Sequence, residues 1–239
     1  MRKHESFIMK PMSSIIEEAV LSVSGVGFSM ESFPLCRYVK DALMLQLTGF
    51  QEQKLKCIMW EMATDDYEFR YQNIFQKNLG ECSNVKDKQE IFRHLIRQIR
   101  IKDSNYSIPE ISRETIVNTT KNVMRTVFEG TILKTCSERE FKSYLDISKS
   151  FTKSSFGVGE QLFCGNVSGV NAIEFYDRFL YRQRNRLAHN TTSYLENIPG
   201  FSSLADPNDI LRNYFLFYAY LMMMDGVFVE AFNKYLSLY

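Results

Sequence analysis

The 239 residues are 45% hydrophobic and 24% charged, a globular balance that excludes wholesale disorder and is large enough to build a core without disulfide or metal staples. With 29 basic and 28 acidic residues the net charge is +1, which excludes a polycationic coat for nucleic acid and still allows a local basic site. Eleven Gly and 5 Pro against 19 Phe, 13 Tyr and 11 Met point to long regular elements, and there are only 3 His.

In chain order the periodicity is helical nearly throughout. The first ten residues hold no uninterrupted apolar run of the kind an export signal needs, so the expectation is a cytoplasmic protein whose 5 scattered cysteines stay reduced. Ile15, Ile16, Ala19 and Val20 mark an amphipathic helix from Pro11 to Val23, ended by Gly25 and Gly27. A second helix is expected over 34–48, with Gly49 as a kink or turn. A third follows with Leu55, Ile58, Met59 and Met62 on one face. Gly80 to Ser83 reads as a break, and Val85 to Ile101 as the next helix. Pro109 then stands near the start of a helix reaching Phe128. Ser137 with Glu140 fits a capping box opening a helix to about Ile147. Residues 150–170 are rich in Ser and Gly and read as a loop. Val170 to Ala188 is helical again, and a linker with Pro199 and Gly200 leads to a last helix starting near Asp206, with Pro207 at its first position. The apolar run Tyr214–Met224, stopped by Asp225, is too short to cross a bilayer and reads as buried. No strand is expected. The class is all-α: a helical bundle in which 1–105 elaborates a core at 106–239, with a break near 102–108 inside one enlarged domain.

Several motif readings fail on context. No HExxH, CxxC or paired-His spacing exists, so no metal site is expected. Glu61, Asp65, Asp66 and Glu68 read as a solvated helix face. Gly157 and Gly159 lack the Lys-Ser/Thr of a phosphate loop, and Ser150-x-x-Lys153 lacks the partner motifs of an acyl-transfer serine. Arg93, His94, Arg97, Arg100 and Lys102 are either an extra nucleic-acid contact or, more simply, the wet face of a helix.

The stretch from Asp177 to Asn190 is different. Arg178, Arg182, Arg184 and Arg186 fall within nine residues of a near-neutral chain and run into His189. On a helix, offsets of three, four and seven place Arg182, Asn185, Arg186 and His189 on one face. A basic helix C-terminus complementing the macrodipole explains the arginines but not Asn185.

Arg184-Asn185-Arg186-Leu187-Ala188-His189 resembles the motif of the HEPN superfamily, all-helical domains in which an arginine is followed, after four to six residues, by a histidine. The resemblance covers these six residues. It implies a metal-independent RNA endonuclease acting as a toxin or antiviral defence effector, without a cofactor. In such a reaction the RNA's own 2′-OH attacks the neighbouring phosphate, leaving a 2′,3′-cyclic phosphate and a 5′-OH. By the resemblance His189 is the general acid/base, as suits an imidazole near neutral pH, Arg184 stabilises the pentavalent phosphate and Asn185 orients it. Arg178, Arg182 and Arg186 are then substrate contacts. Residues 184 and 189 stand about 140° apart around a helix. Either a homodimer builds one composite cleft from two motifs, or Arg182, on the face of His189, supplies the charge. The resemblance also allows a non-catalytic interaction or nucleotide-binding module working with a regulatory partner such as an antitoxin. No membrane association is expected.

Overall fold

Helix formation follows the apolar periodicity over most of the chain. The computed structural model, which describes residues 2–76, 82–106, 110–158, 160–189 and 210–238, is all-α, with 75% helix and 4% strand. Helices α1 (Glu5–Met9) and α2 (Ser13–Leu21) lead to a single long α3 (Phe33–Asp65) with Pro34 in its first turn. The short α4 (Tyr67–Phe69) runs into a π-helical stretch, Arg70–Gln76. Then come α5 (Val85–Lys102), α6 (Glu110–Phe128), α7 (Ile132–Cys136) and α8 (Glu138–Ser148). After two small hairpins, α9 (Ala172–Phe175), a π-helical segment (Tyr176–Tyr181) and α10 (Arg182–His189) follow without interruption. The chain closes on α11 (Tyr214–Leu236).

The position of α11 organises everything else. It packs against α6, α3, α5 and α8, helices from both sides of the 102–108 break. Sixteen of its residues are buried, from Phe215 to Tyr235. By length and composition α11 is apolar enough to cross a membrane, and 83% of its most apolar stretch lies inside the fold. The expected burial therefore holds, and the helix runs on past Asp225 to Leu236. That carboxylate is 4% exposed and continues the helix because Lys54, 2% exposed, meets it at 2.8 and 3.0 Å. Lys54 also donates to the main-chain oxygen of Lys10 at 2.5 Å, and Asp225 accepts from the backbone N–H of Met12 at 3.3 Å. One buried pair thus locks α3, α11 and the α1–α2 joint. Burial pushes the Asp225 carboxyl up and the Lys54 ammonium down, and each charge opposes the other's shift.

Aromatic side chains fill the space around α11, which accounts for their 14% share. Phe128, Phe141 and Phe215 meet edge-on or tilted at 5.0–6.5 Å, and Phe156, Phe175 and Tyr220 form a second group at 4.7–4.9 Å. Two of the buried hydroxyls find main-chain oxygens: Tyr218 donates to Lys40 at 2.8 Å and Tyr220 to Ala172 at 3.1 Å.

Several expectations need correction. Gly49 makes no turn: the helix runs through it unbroken, its position is open, and the helical penalty of one glycine, about 1 kcal/mol, is outweighed by burial of Leu43, Met44, Leu47, Leu55 and Ile58 along the same helix. Ser137 makes no side-chain cap to α8; its hydroxyl instead accepts from Lys40 Nζ at 2.6 Å, and Glu140 pairs with the same ammonium at 3.3 Å. Residues 150–170 are not all loop. Strands β1 (Phe156–Val158) and β2 (Gln161–Phe163) pair antiparallel, as do β3 (Asn166–Val167) and β4 (Val170–Asn171), with Gly165 and Gly169 at φ +66° and +87°.

The acidic run at 61–68 is only in part a solvated face: Asp65 and Glu68 are exposed, but Glu61 is buried and three of the four carboxylates are tied into the fold. Glu61 is 4% exposed and accepts from the backbone and Nδ1 of His4 at 3.1 and 2.8 Å, Asp65 takes the Tyr235 hydroxyl at 2.6 Å, and Asp66 caps α4 and accepts from Gln98 at 2.7 Å. At the other end, Asn213 is 2% exposed, caps α11 by accepting from the N–H groups of Phe215 and Leu216, and donates to Glu140 O at 2.6 Å. The expected linker at 199–200, the helix start at Asp206–Pro207 and Pro109, expected near the start of its helix, lie outside the described residues.

At Gly226 α11 passes close to Ile116 of α6. A Cβ there would sit 2.8 Å from Cγ2 of Ile116, a stiff β-branched side chain. Gly226→Ala is expected to lower stability by about 1–3 kcal/mol although alanine is the better helix former. Ile116→Ala in the same background should recover part of it, read by urea unfolding; a Gly226→Ala protein more stable than wild type would refute this contact.

Candidate active site

The arginine-rich stretch enters its helix through a π-helical turn. Phe175 and Phe179, 0% and 3% exposed, anchor the segment in the core, and Tyr176 stacks on Tyr181 at 6.1 Å. The wider π turn inserts residues ahead of α10 and sets the direction in which the motif points.

Within α10 the two faces separate as the 100° step requires. Gln183, Arg184 and Leu187 turn toward the body of the protein. Leu187 packs on the core, and Gln183 Nε2 donates to the Tyr214 hydroxyl at 2.9 Å, which itself donates to Asp41 of α3. Arg184 reaches Glu52 of α3, Nη2 to Oε2 at 3.3 Å, and donates from Nη1 to Asn185 Oδ1 at 3.1 Å. Its guanidinium lies 5.9 Å from the Tyr181 ring. The Arg184 and Glu52 side chains are only 22% and 14% exposed.

Arg182 and His189 are exposed on the opposite side, and among the described residues neither has an ion-pair partner. Asn185 and Arg186 are half-buried between the two faces. Arg178, one turn before α10, pairs with Glu174 at 3.2 Å. The structure therefore brings Arg184, Asn185 and Glu52 together, sets Arg182 and His189 on the outer face, and keeps Arg184 away from the side of His189. Asn190 lies outside the described residues.

Two residues near the motif carry no signal in the sequence. Glu52 is 132 positions from Arg184 and reads as one more polar position on a helix. Lys88 of α5 is 1% exposed, donates to Cys82 O at 2.9 Å and lies 5.8 Å from the Tyr176 ring. Burial pushes its ammonium down to about 8, opposed by the carboxylate of Glu52 and helped by the positive charge of Arg184. Glu52 is thus paired with the motif arginine, and its negative charge also acts on a buried lysine. Only the packing of α3 against α10 brings the pair together.

Three arginines of the other basic stretch are engaged in ion pairs. Arg93 pairs with Glu90 at 2.5 Å, and Arg97 and Arg100 both meet Glu160, in the β1–β2 turn, at 3.1 Å. Gln89 binds the same turn through Glu160 O and Leu162 N, so this face of α5 is built to hold a hairpin. Among the described residues, no three His, Cys, Asp or Glu side chains gather closely enough to hold a metal ion. Cys164 is half-buried and its thiol, pushed up by burial, donates to Gln161 O at 3.4 Å.

No family model matches the chain. Comparison with curated proteins finds no match, and comparison with solved structures finds none.

The Arg184–Glu52 pair should show up as an energetic coupling. In a double-mutant cycle of Glu52→Gln and Arg184→Gln the expected interaction energy is about 1–2 kcal/mol by chemical denaturation, and additive effects would contradict the pairing. Lys88 gives a second expectation, in pH. Its pKa is lower folded than unfolded, so between about 8 and the usual 10.5 the unfolded chain binds more protons and stability rises with pH. The cost of keeping the ammonium buried is full below about 8 and gone above 10.5, on the order of 3 kcal/mol. The stability advantage of Lys88→Met over wild type should shrink over that interval; a gap independent of pH would refute the assignment.

Proposed function

We propose that the protein is a metal-independent RNA endonuclease of the HEPN type, active as a toxin or antiviral effector. The observation that carries this reading is the Arg184–His189 motif at the C-terminal end of α10, with His189 exposed to a substrate and Arg184 held in a fixed orientation by Glu52 and Asn185. A guanidinium has five N–H donors, and these two contacts engage Nη1 and Nη2 once each, so a held Arg184 keeps donors for a phosphate. His189 removes the proton from the attacking 2′-OH or delivers one to the leaving 5′-oxygen, while Arg184 stabilises the charge on the pentavalent phosphorus. Asn185 fixes Arg184 and the scissile phosphate, and Arg178, Arg182 and Arg186 line the approach of the strand. Because Arg184 and His189 diverge around α10, the complete site is assembled from two copies of the chain across a two-fold axis. A regulatory partner of antitoxin type is the natural means of keeping such an activity silent.

The ion pair with Glu52 also favours a second reading. An arginine neutralised by a half-buried carboxylate serves equally as a structural tie in a non-catalytic or nucleotide-binding module.

One set of assays separates the two. Wild-type protein should cut RNA in EDTA to give 2′,3′-cyclic phosphate ends, and His189→Ala should lose about 10²–10⁴-fold in rate with its thermal unfolding unchanged. Comparing Arg184→Ala with Arg182→Ala identifies the phosphate ligand, and sizing in solution tests the shared cleft. Equal activity of wild type and His189→Ala, or an activity abolished by EDTA, overturns the proposal. A folded wild type with no cleavage of any RNA leaves the module reading standing.

A further inference from the structure

The five cysteines look unrelated in sequence, but the fold brings two of them together. Cys36, in the first turn of α3, is 2% exposed, and Cys136, the last residue of α7, is partly exposed. Their sulfurs are 2.9 Å apart across a separation of 100 residues, both as free thiols. Closing that gap to the about 2.05 Å of a sulfur–sulfur bond needs a movement of less than about 1 Å. We propose that Cys36 and Cys136 form a reversible disulfide, made by peroxide and opened by thiols, that staples the start of α3 to α7.

The two sulfurs differ in the way such a reaction requires. Cys136 is the one that solvent reaches, so it meets the oxidant. Its thiolate attacks peroxide, an S–O bond forms as the O–O bond breaks, hydroxide leaves, and a sulfenic acid results. Cys36 is the resolving thiol. Its sulfur displaces the hydroxyl from Cys136; the S–S bond forms, the S–O bond breaks, and the Cys36 proton leaves with the hydroxyl as water. In sum two thiols and one peroxide give one disulfide and two waters.

Burial, then the hydrogen bond and charge of Cys136, push the Cys36 thiol up to about 12, and the ammonium of Lys40 on the next turn works against that. Once Cys136 is a neutral sulfenic acid, the charge part of this barrier is gone. Cys36 is reluctant to ionise at rest and becomes reactive only after its neighbour is oxidised. The same Lys40 ammonium holds Ser137, adjacent to Cys136, at 2.6 Å, so the two chain segments are already registered on one another. The staple would fix the end of the helix that carries Asp41 and Glu52, but its formation does not depend on the activity proposed above.

The test uses the full chain. After peroxide, then alkylation with N-ethylmaleimide in denaturant, mass spectrometry should find two fewer alkylated thiols and one linked peptide containing Cys36 and Cys136. The oxidised protein should melt about 10 °C above the reduced one, since the closed loop is long, and dithiothreitol should reverse the difference. Cys36→Ser and Cys136→Ser should each abolish both the link and the shift; Cys136→Ala, at the partly exposed position, repeats the test should either serine variant fold poorly. Five alkylated thiols after peroxide would overturn the proposal. So would Cys136 carried to the sulfinic acid beside a free Cys36, a link to Cys57, Cys82 or Cys164, or a correct link with no thermal shift.

Discussion

A carboxylate in the middle of a helix buried on every side is tolerable only if a cation is delivered to it. Asp225 is that carboxylate and Lys54 that cation. Breaking such a pair costs on the order of 3–5 kcal/mol, because the surviving charge remains buried. The demand fixes the rotation of α11, the register of α3 beside it, and the course of the chain at Lys10 and Met12. The apolar packing around the pair is non-directional and would accept many arrangements. The ion pair selects one.

With α3 held in this way, it becomes the reference rod for the motif helix. Asp41 and Glu52 are eleven residues apart, which returns to the same side of a helix within about 20°. The first holds Tyr214 and through it Gln183, and the second holds Arg184. Two successive residues of α10 are thereby fixed from one stripe of a helix that precedes them by more than a hundred positions. Rigid elements place functional side chains more closely than loops do, and here the placing element is the longest one in the described chain.

The sequence made the helices legible because their apolar faces repeat at the helical step, as in Ile91, Leu95 and Ile99 of α5. It misled wherever a local signal competed with burial. Gly49 looked like a break, and Ser137 with Glu140 looked like a cap, until Lys40 from another helix took both side chains. The short hairpins were invisible because strands of two or three residues have no period to read. At the motif, Arg182, Asn185, Arg186 and His189 could be placed on a face by arithmetic alone. Nothing local marks Lys88 as buried, and Glu52 could not be placed, since it contributes through one contact between helices distant in sequence. The pairing of Cys36 with Cys136 was hidden for the same reason.

The segment Tyr176–Tyr181 is π-helical. A π turn spends an additional residue on the same advance along the axis, so everything beyond it is turned relative to an unbroken α-helix, by an angle on the order of 100° per inserted residue. Phe175 and Phe179 must face the core, and Arg184 must face Glu52; the wide turn allows both at once. It acts as a phase shifter between an aromatic anchor and a charged tip. A single deletion in this segment would leave every helix of the core intact and still hand the position of Arg184 to one of its neighbours.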